Sequence, residues 1–164
     1  MECTISRMGA EDREPVIDIF NHYVESSFAA FPETRVPYAA YDMFLQMSGG
    51  LPTGVLRDGE GKLLGFGMLR RYNPMPAFAH TAEVSYFIAP EHTGKGLGGR
   101  LLAHLEREGL EKGITTLLAQ ISSLNEGSIR FHRKNGFVEC GCFREVGRKH
   151  GRLFDAVWMQ KTLA

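Results

Sequence analysis

The segment that most restricts how this chain folds runs from residue 82 to residue 113, AEVSYFIAPEHTGKGLGGRLLAHLEREGLEKG. An apolar strand through Val84, Tyr86, Phe87 and Ile88 stops at Pro90. A loop dense in glycine follows at 93–99 and opens directly into an amphipathic helix. Glycine lacks Cβ, so such a loop turns tightly and brings its backbone against a ligand. The first turn of the helix then offers unpaired N–H groups and the positive end of a dipole. Strand, glycine loop and helix in this order describe an α/β unit with an anion site at its turn, and phosphate is the natural guest.

Two familiar phosphate motifs do not fit the segment. A P-loop ends in Gly-Lys followed by Ser or Thr, whereas Lys95 stands between Gly94 and Gly96. The dinucleotide fingerprint needs an acidic residue closing a second strand about 20 residues further on, and none stands there. The loop also lies past the middle of the chain.

The rest divides into short elements. Residues 3–8 alternate weakly, as a first strand does. Residues 11–28 place Val16, Ile17, Phe20, Tyr23, Val24 and Phe28 on one helical stripe, with Pro15 in the tolerant first turn and Phe31-Pro32 as the break. A shorter helix over 38–47 stops at Gly49-Gly50. Residues 53–57 and 63–71 pair as a hairpin across Asp58-Gly59-Glu60-Gly61. Strand 82–89, the glycine loop and a helix to Lys112 come next, then strand 115–121 and helix 126–135. Two closing strands over 137–145 and 152–160 flank a turn at 147–151. The order β-α-α-β-β-β-α-β-α-β-β, without repeat or linker, predicts one α/β domain over 1–164.

Composition bounds the partners. Nineteen basic residues balance nineteen acidic ones, so neither nucleic acid nor an anionic membrane is expected. The same balance leaves little solubility margin, which a second subunit covering some surface would relieve. No apolar run approaches the ~20 residues of a membrane span and no signal-peptide core opens the chain, which predicts a cytoplasmic setting. Cys3, Cys140 and Cys142 are too few for a disulfide framework. Cys140 and Cys142, two apart in a strand, are expected to share one face as small buried or half-buried thiols, and their spacing offers no metal site.

Thr93, Gly96 and Gly98 occupy the three fixed positions of the acyl-CoA loop [QR]-x-x-G-x-[GA], and from this point the chain resembles the GCN5-related N-acetyltransferase (GNAT) superfamily. Within it the chain looks most like the phosphinothricin and methionine-sulfone N-acetyltransferase branch, over essentially its whole length. Asn21-His22-Tyr23 with Ser26-Ser27 and Phe31 resembles that branch's first helix and following loop. Glu83 matches its acidic strand position, and Asn125-x-x-Ser128-x-x-x-His132-x-x-x-Gly136-Phe137 matches a segment where many relatives carry Tyr instead of His. Gly147-x-Lys149-x-Gly151-Arg152, Asp155 and Met159-Gln160 match its C-terminal signature. Thr93 departs from the usual Arg or Gln. The loop after the third strand reads Arg71-Tyr72-Asn73 where relatives read roughly Asp-Trp-Arg, and Phe31 and Leu153 each replace a Trp.

The resemblance implies the GNAT fold, a mixed and mostly antiparallel sheet of about seven strands flanked by about four helices. It implies acetyl-CoA as co-substrate, no metal, and a homodimer in which His150 and the loop around Lys149 reach the pocket from a second subunit, whereas the residues alone read there as a solvated turn. The implied reaction is acetyl transfer to the primary amine of a small molecule, an amino acid or an analogue such as phosphinothricin, methionine sulfone or sulfoximine. Two alternatives stay open: acetylation of a peptide N-terminus or lysine side chain, and a non-catalytic acyl-CoA-binding module.

Each residue has a chemical reason for its place. The amides of Gly94, Lys95, Gly96, Leu97, Gly98 and Gly99 are expected to wrap the pyrophosphate, and the backbone of Tyr86, Phe87 and Ile88 to pair with the amide-bearing pantetheine arm as an added strand. Asn125 is expected to cap the following helix or bond the same arm. Glu83 is the expected general base, or else only the group that binds the ammonium. His132 is the expected proton donor to the leaving thiolate. Phe31, Arg71, Tyr72 and Asn73 are expected at the amine pocket. Because neighbours on a strand face opposite sides, only one of Arg70 and Arg71 is expected to reach it.

Overall fold

A computed structural model describes residues 2–163. In chain order the elements are β1 Cys3–Ser6, α1 Arg13–Ser26, α2 Ala40–Ser48, β2 Thr53–Asp58, β3 Leu63–Arg71, β4 Thr81–Ile88, α3 Leu97–Glu111, β5 Thr116–Ser122, α4 Glu126–Lys134, β6 Val138–Lys149 and β7 Arg152–Thr162. The seven strands form one sheet in the order β1-β2-β3-β4-β5-β7-β6. Only the β4–β5 pair is parallel, with α3 as its crossover. This is the mixed, mostly antiparallel architecture the sequence predicts.

Local chemistry sets the boundaries. α1 buries Val16, Ile17 and Val24, and the Ser27 hydroxyl donates to Tyr23 O at its end. α2 stops at Gly49, whose N–H donates to Gln46 O at 3.1 Å. In the β2–β3 turn Asp58 Oδ1 accepts from the N–H groups of Glu60 and Lys62, both at 2.9 Å, which closes the hairpin.

The sheet separates two cores. Leu101, Leu102 and Leu105 of α3 pack on Leu69, Val84, Leu117, Phe137 and Met159. On the other face Val16 and Ile17 of α1 and Tyr41 of α2 pack with Phe66, and Phe87 joins them. Alternation along β4 therefore sends Val84, Tyr86 and Ile88 toward α3 and α4, and Glu83, Ser85 and Phe87 toward α1 and α2.

The C-terminal hairpin corrects two expectations. β6 does not end at residue 145 but continues to Lys149, because its register shifts between Phe143 and Gly147 and absorbs the interruption. Glu145 takes φ +52° in that bulge and its N–H donates to Asp155 Oδ1 at 2.8 Å. A second shift lies between Glu139 and Gly141, around Cys140, so simple alternation does not relate the two cysteines. Cys140 and Cys142 are exposed rather than buried, and Cys3 is half-buried. Among the described residues no helix is long and apolar enough to cross a membrane.

Candidate active site

β4 and β5 pair at Thr81↔Thr116, Ala82↔Leu117 and Glu83↔Leu118, and then separate although both strands run on. The fork leaves the β5-facing edge of Val84–Ile88 without a strand partner. A cavity of about 730 Å³ fills it, bounded by β4 on one side and by Ala119, Gln120 and Ile121 on the other. An extended chain carrying amides matches such an edge.

The glycine loop closes one end of this cavity. Gly94 and Gly96 line it with φ of +74° and +79°, a left-handed conformation that side chains with a Cβ avoid. The first backbone bond of α3 runs from Arg100 N to Gly96 O at 3.2 Å, so the N–H groups of Leu97, Gly98 and Gly99 have no helical acceptor. No acidic residue occupies that first turn. The donor set suits a pyrophosphate. The Thr93 hydroxyl donates to Pro90 O at 2.9 Å, so its side chain is engaged in the turn. Lys95 is exposed and does not line the cavity.

At the other wall α4 presents His132. Asn125 caps this helix by accepting from Ser128 N at 3.3 Å, and it lines the cavity as well. The His132 ring, 4 % exposed, packs edge-on against Phe131 and Phe137. Its Nδ1 lies 2.7 Å from Ser128 O, a carbonyl that only accepts, so Nδ1 carries the hydrogen. Nε2 is then an acceptor, and its partner is the Tyr86 hydroxyl. Burial lowers the proton affinity of His132, only partly opposed by the Ser128 bond. Burial raises the Tyr86 phenol well above its ordinary value, with a smaller contribution from Glu106. Both rings are neutral near pH 7. The Tyr86 side chain is a site group that the sequence reading, occupied with its backbone, overlooked; its even spacing from Val84 on the α4 side was the available signal.

Glu83 and His132 lie on opposite sides of the sheet. Glu83 opens onto a second cavity of about 380 Å³ with Met47, Arg70, Arg71 and Gln120. Arg70 stands opposite Glu83 in the β3–β4 ladder, its Nη2 3.6 Å from the carboxylate, and its buried Nε has no partner among the described residues. Both arginines reach this cavity, contrary to the alternation rule. Arg71 is the last residue of β3, and its side chain lies over Gly49 at the end of α2. Phe31, Tyr72 and Asn73 line neither cavity. Phe31 stacks on Phe154 at 5.6 Å, Tyr72 meets Phe78 edge-on, and Asn73 Oδ1 accepts from Met75 N.

Lys149 is fully buried within its own chain, and its Nζ donates to Ser27 O and Ala30 O, both at 2.6 Å. The clamp fixes the loop after α1, which supplies Ala29 to the wall of the larger cavity. The Lys149 ammonium is therefore engaged within its own chain. The neighbouring His150 N–H donates to Glu33 Oε1 at 2.7 Å, a second tie between the hairpin and that loop.

Comparison with known proteins shows the family. The profile of the acetyltransferase (GNAT) family matches residues 16–137. The chain is 33% identical over 160 residues to a phosphinothricin N-acetyltransferase of Streptomyces coelicolor, covering 93% of this chain and 92% of that one. It is 32% identical over 165 residues to an L-methionine sulfoximine/L-methionine sulfone acetyltransferase of Pseudomonas paraeruginosa, covering 99% and 96%. A solved GNAT-superfamily phosphinothricin acetyltransferase from Sinorhizobium meliloti, in complex with acetyl-CoA, superposes with a TM-score of 0.93 at 30% identity, covering 100% of this chain and 90% of that one.

Proposed function

Because this chain belongs to the acetyltransferase (GNAT) family and is an acetyl-CoA-dependent N-acetyltransferase, we propose that its acceptor is the primary amine of a small amino acid or analogue, of the phosphinothricin or methionine sulfone and sulfoximine type. One observation carries the acceptor reading: the smaller cavity sets a carboxylate, Glu83, beside two guanidinium groups, Arg70 and Arg71. An α-amino acid carries the complementary pair, an ammonium for Glu83 and a carboxylate for an arginine.

The residues then divide the work. The amides of Leu97, Gly98 and Gly99 receive the pyrophosphate, and the open edge of Tyr86, Phe87 and Ile88 receives the pantetheine arm. Bound there, the co-substrate supplies an activated acetyl carbonyl at the fork. Glu83 binds the ammonium from the opposite face and takes its first proton, directly or through water. On the far side His132 is neutral and its Nε2 accepts the one hydrogen of the Tyr86 hydroxyl, so neither ring has a hydrogen free for the sulfur, and the departing thiolate takes its proton from the amine nitrogen.

The whole chain works as one catalytic domain. The exposed Val138, Phe143, Val146 and Leu153 of the outer hairpin suit burial against a second copy in a homodimer, and three free thiols suit a reducing cytoplasm. The decisive experiment is thiol release from acetyl-CoA across a panel of amines. Amino acids should turn over fastest, and Glu83→Gln should lose most turnover while still binding acetyl-CoA. Equal rates with carboxylate-free amines, or undiminished turnover in Glu83→Gln, would sink the reading.

A further inference from the structure

The two cavities share one lining residue, Gln120. Its position follows from register. Pairing of β4 with β5 ends at Glu83↔Leu118, and alternation puts Gln120 on the side of the sheet that Leu118 and Glu83 share. The residue therefore stands on the β5 arm of the fork, and Glu83 on the β4 arm. Gln120 is exposed, so its carboxamide is free to meet a ligand.

The hydrogen-bond inventory of the smaller cavity shows what that carboxamide can do. Arg70 and Arg71 only donate, and the Met47 thioether accepts weakly. Glu83 and Gln120 supply the strong side-chain acceptors. A primary ammonium must lose one proton before its nitrogen can attack. The amine that remains has two N–H bonds and one lone pair. Both N–H bonds need acceptors if the lone pair is to hold one direction. An amine held between Glu83 and Gln120, one on each arm, would have both N–H bonds engaged and its lone pair left for the acyl carbon.

We propose that Gln120 is a catalytic residue whose Oε1 accepts one N–H of the attacking amine while Glu83 accepts the other, aiming the lone pair at the thioester carbonyl. The proposal rests on the acceptor reading above. In the step so arranged the nitrogen lone pair forms the N–C bond, and the C–S bond breaks with its electrons going to sulfur. One proton of the original ammonium goes to Glu83, and the proton released as the amide forms goes to the departing thiolate. Gln120 gains and loses no proton. The arrangement selects primary amines, because an N-methyl amine has a single N–H after deprotonation and must leave one acceptor unused.

The test compares kcat/KM for a primary amine that the enzyme acetylates and for its N-methyl counterpart, in wild type, Gln120→Leu and Gln120→Glu. Wild type should prefer the primary amine. Gln120→Leu, similar in shape but without an acceptor, should lose roughly tenfold on the primary amine and little on the N-methyl one. The preference should then collapse. Gln120→Glu keeps an acceptor in place and should keep the preference. Equal losses on both amines in Gln120→Leu, or losses matched by weaker acetyl-CoA binding in calorimetry, would show a structural or donor-side role and overturn the proposal. A wild type that acetylates no amine at all removes the acceptor reading itself, and this proposal with it.

Discussion

The buried cation at the end of β6 permits a quantitative test of how the larger cavity is held. Lys149 is excluded from solvent, and its ammonium is satisfied by two neutral carbonyls, Ser27 O and Ala30 O. Burial lowers its proton affinity, and Glu33 nearby opposes the shift. Replacement by Met keeps an unbranched apolar stem but leaves one buried carbonyl, Ala30 O, and one half-buried, Ser27 O, without a donor, and a buried acceptor left unpaired costs about 1–3 kcal/mol. Folding then no longer removes an ammonium from water, which offsets the loss at the half-buried Ser27 O and leaves a net destabilisation of about 1–3 kcal/mol. In a domain of this size each kcal/mol lowers Tm by about 2–4 °C, so the midpoint should fall by about 2–12 °C. Thermal unfolding at fixed protein concentration measures this, and a calorimetric titration with acetyl-CoA should show weaker binding because the released loop carries Ala29. A Met variant as stable as wild type would mean that the desolvation cost outweighs both bonds. Unchanged acetyl-CoA affinity would cut the link between the clamp and the cavity.

Two further outcomes follow from the site. Gly96→Ala meets no steric obstacle but forces a Cβ into the left-handed region, at about 1–2 kcal/mol. Acetyl-CoA affinity should fall roughly tenfold, and an unaltered Kd by calorimetry would show that the loop does not need that conformation. His132 has a lowered folded-state proton affinity, so the unfolded chain binds the extra proton more readily. Its contribution to stability is present above the unfolded value near pH 6.5 and is lost as pH falls through the folded value. Tm of wild type should therefore drop more steeply than that of His132→Gln between about pH 7 and pH 5. Parallel curves would contradict a buried neutral histidine.

The donor half of the site was legible because it is encoded locally. Pro90, the run of glycines and the apolar stripe after Leu97 lie within one stretch, and each acts on its own neighbours. Asn125 was legible for the same reason, as a cap three residues before Ser128, whose N–H donates to it. The acceptor half is encoded by register. Arg70 meets Glu83 only because seven β3–β4 pairs run in step from Gly65↔Ile88 to Arg71↔Ala82. Gln120 lines both cavities only because β4 and β5 part after Glu83↔Leu118. The bulges at Cys140 and Glu145 turn on a register shift within β6 that alternation alone does not reveal. Phe31, Tyr72 and Asn73 lie in two loops, where a resemblance carries the position but the side chains follow contacts such as Phe154 and Phe78.

If the acceptor is an amino acid and Glu83 its base, as proposed, the Arg70–Glu83 pair gives the substrate carboxylate a part in catalysis as well as in binding. At 3.6 Å the two groups interact without a close hydrogen bond, and both are partly shielded from water. An amine without a carboxylate must share Glu83 with the guanidinium. An amino acid brings a second carboxylate, which Arg70 and Arg71 can grip with the geometry that planar guanidinium groups favour. Arg70 is then drawn away from Glu83, whose oxygens become free for the ammonium at the mouth of the fork. Recognition of one end of the substrate thereby frees the base for the other end. The binding energy of a non-reacting group is spent on arranging the reacting one.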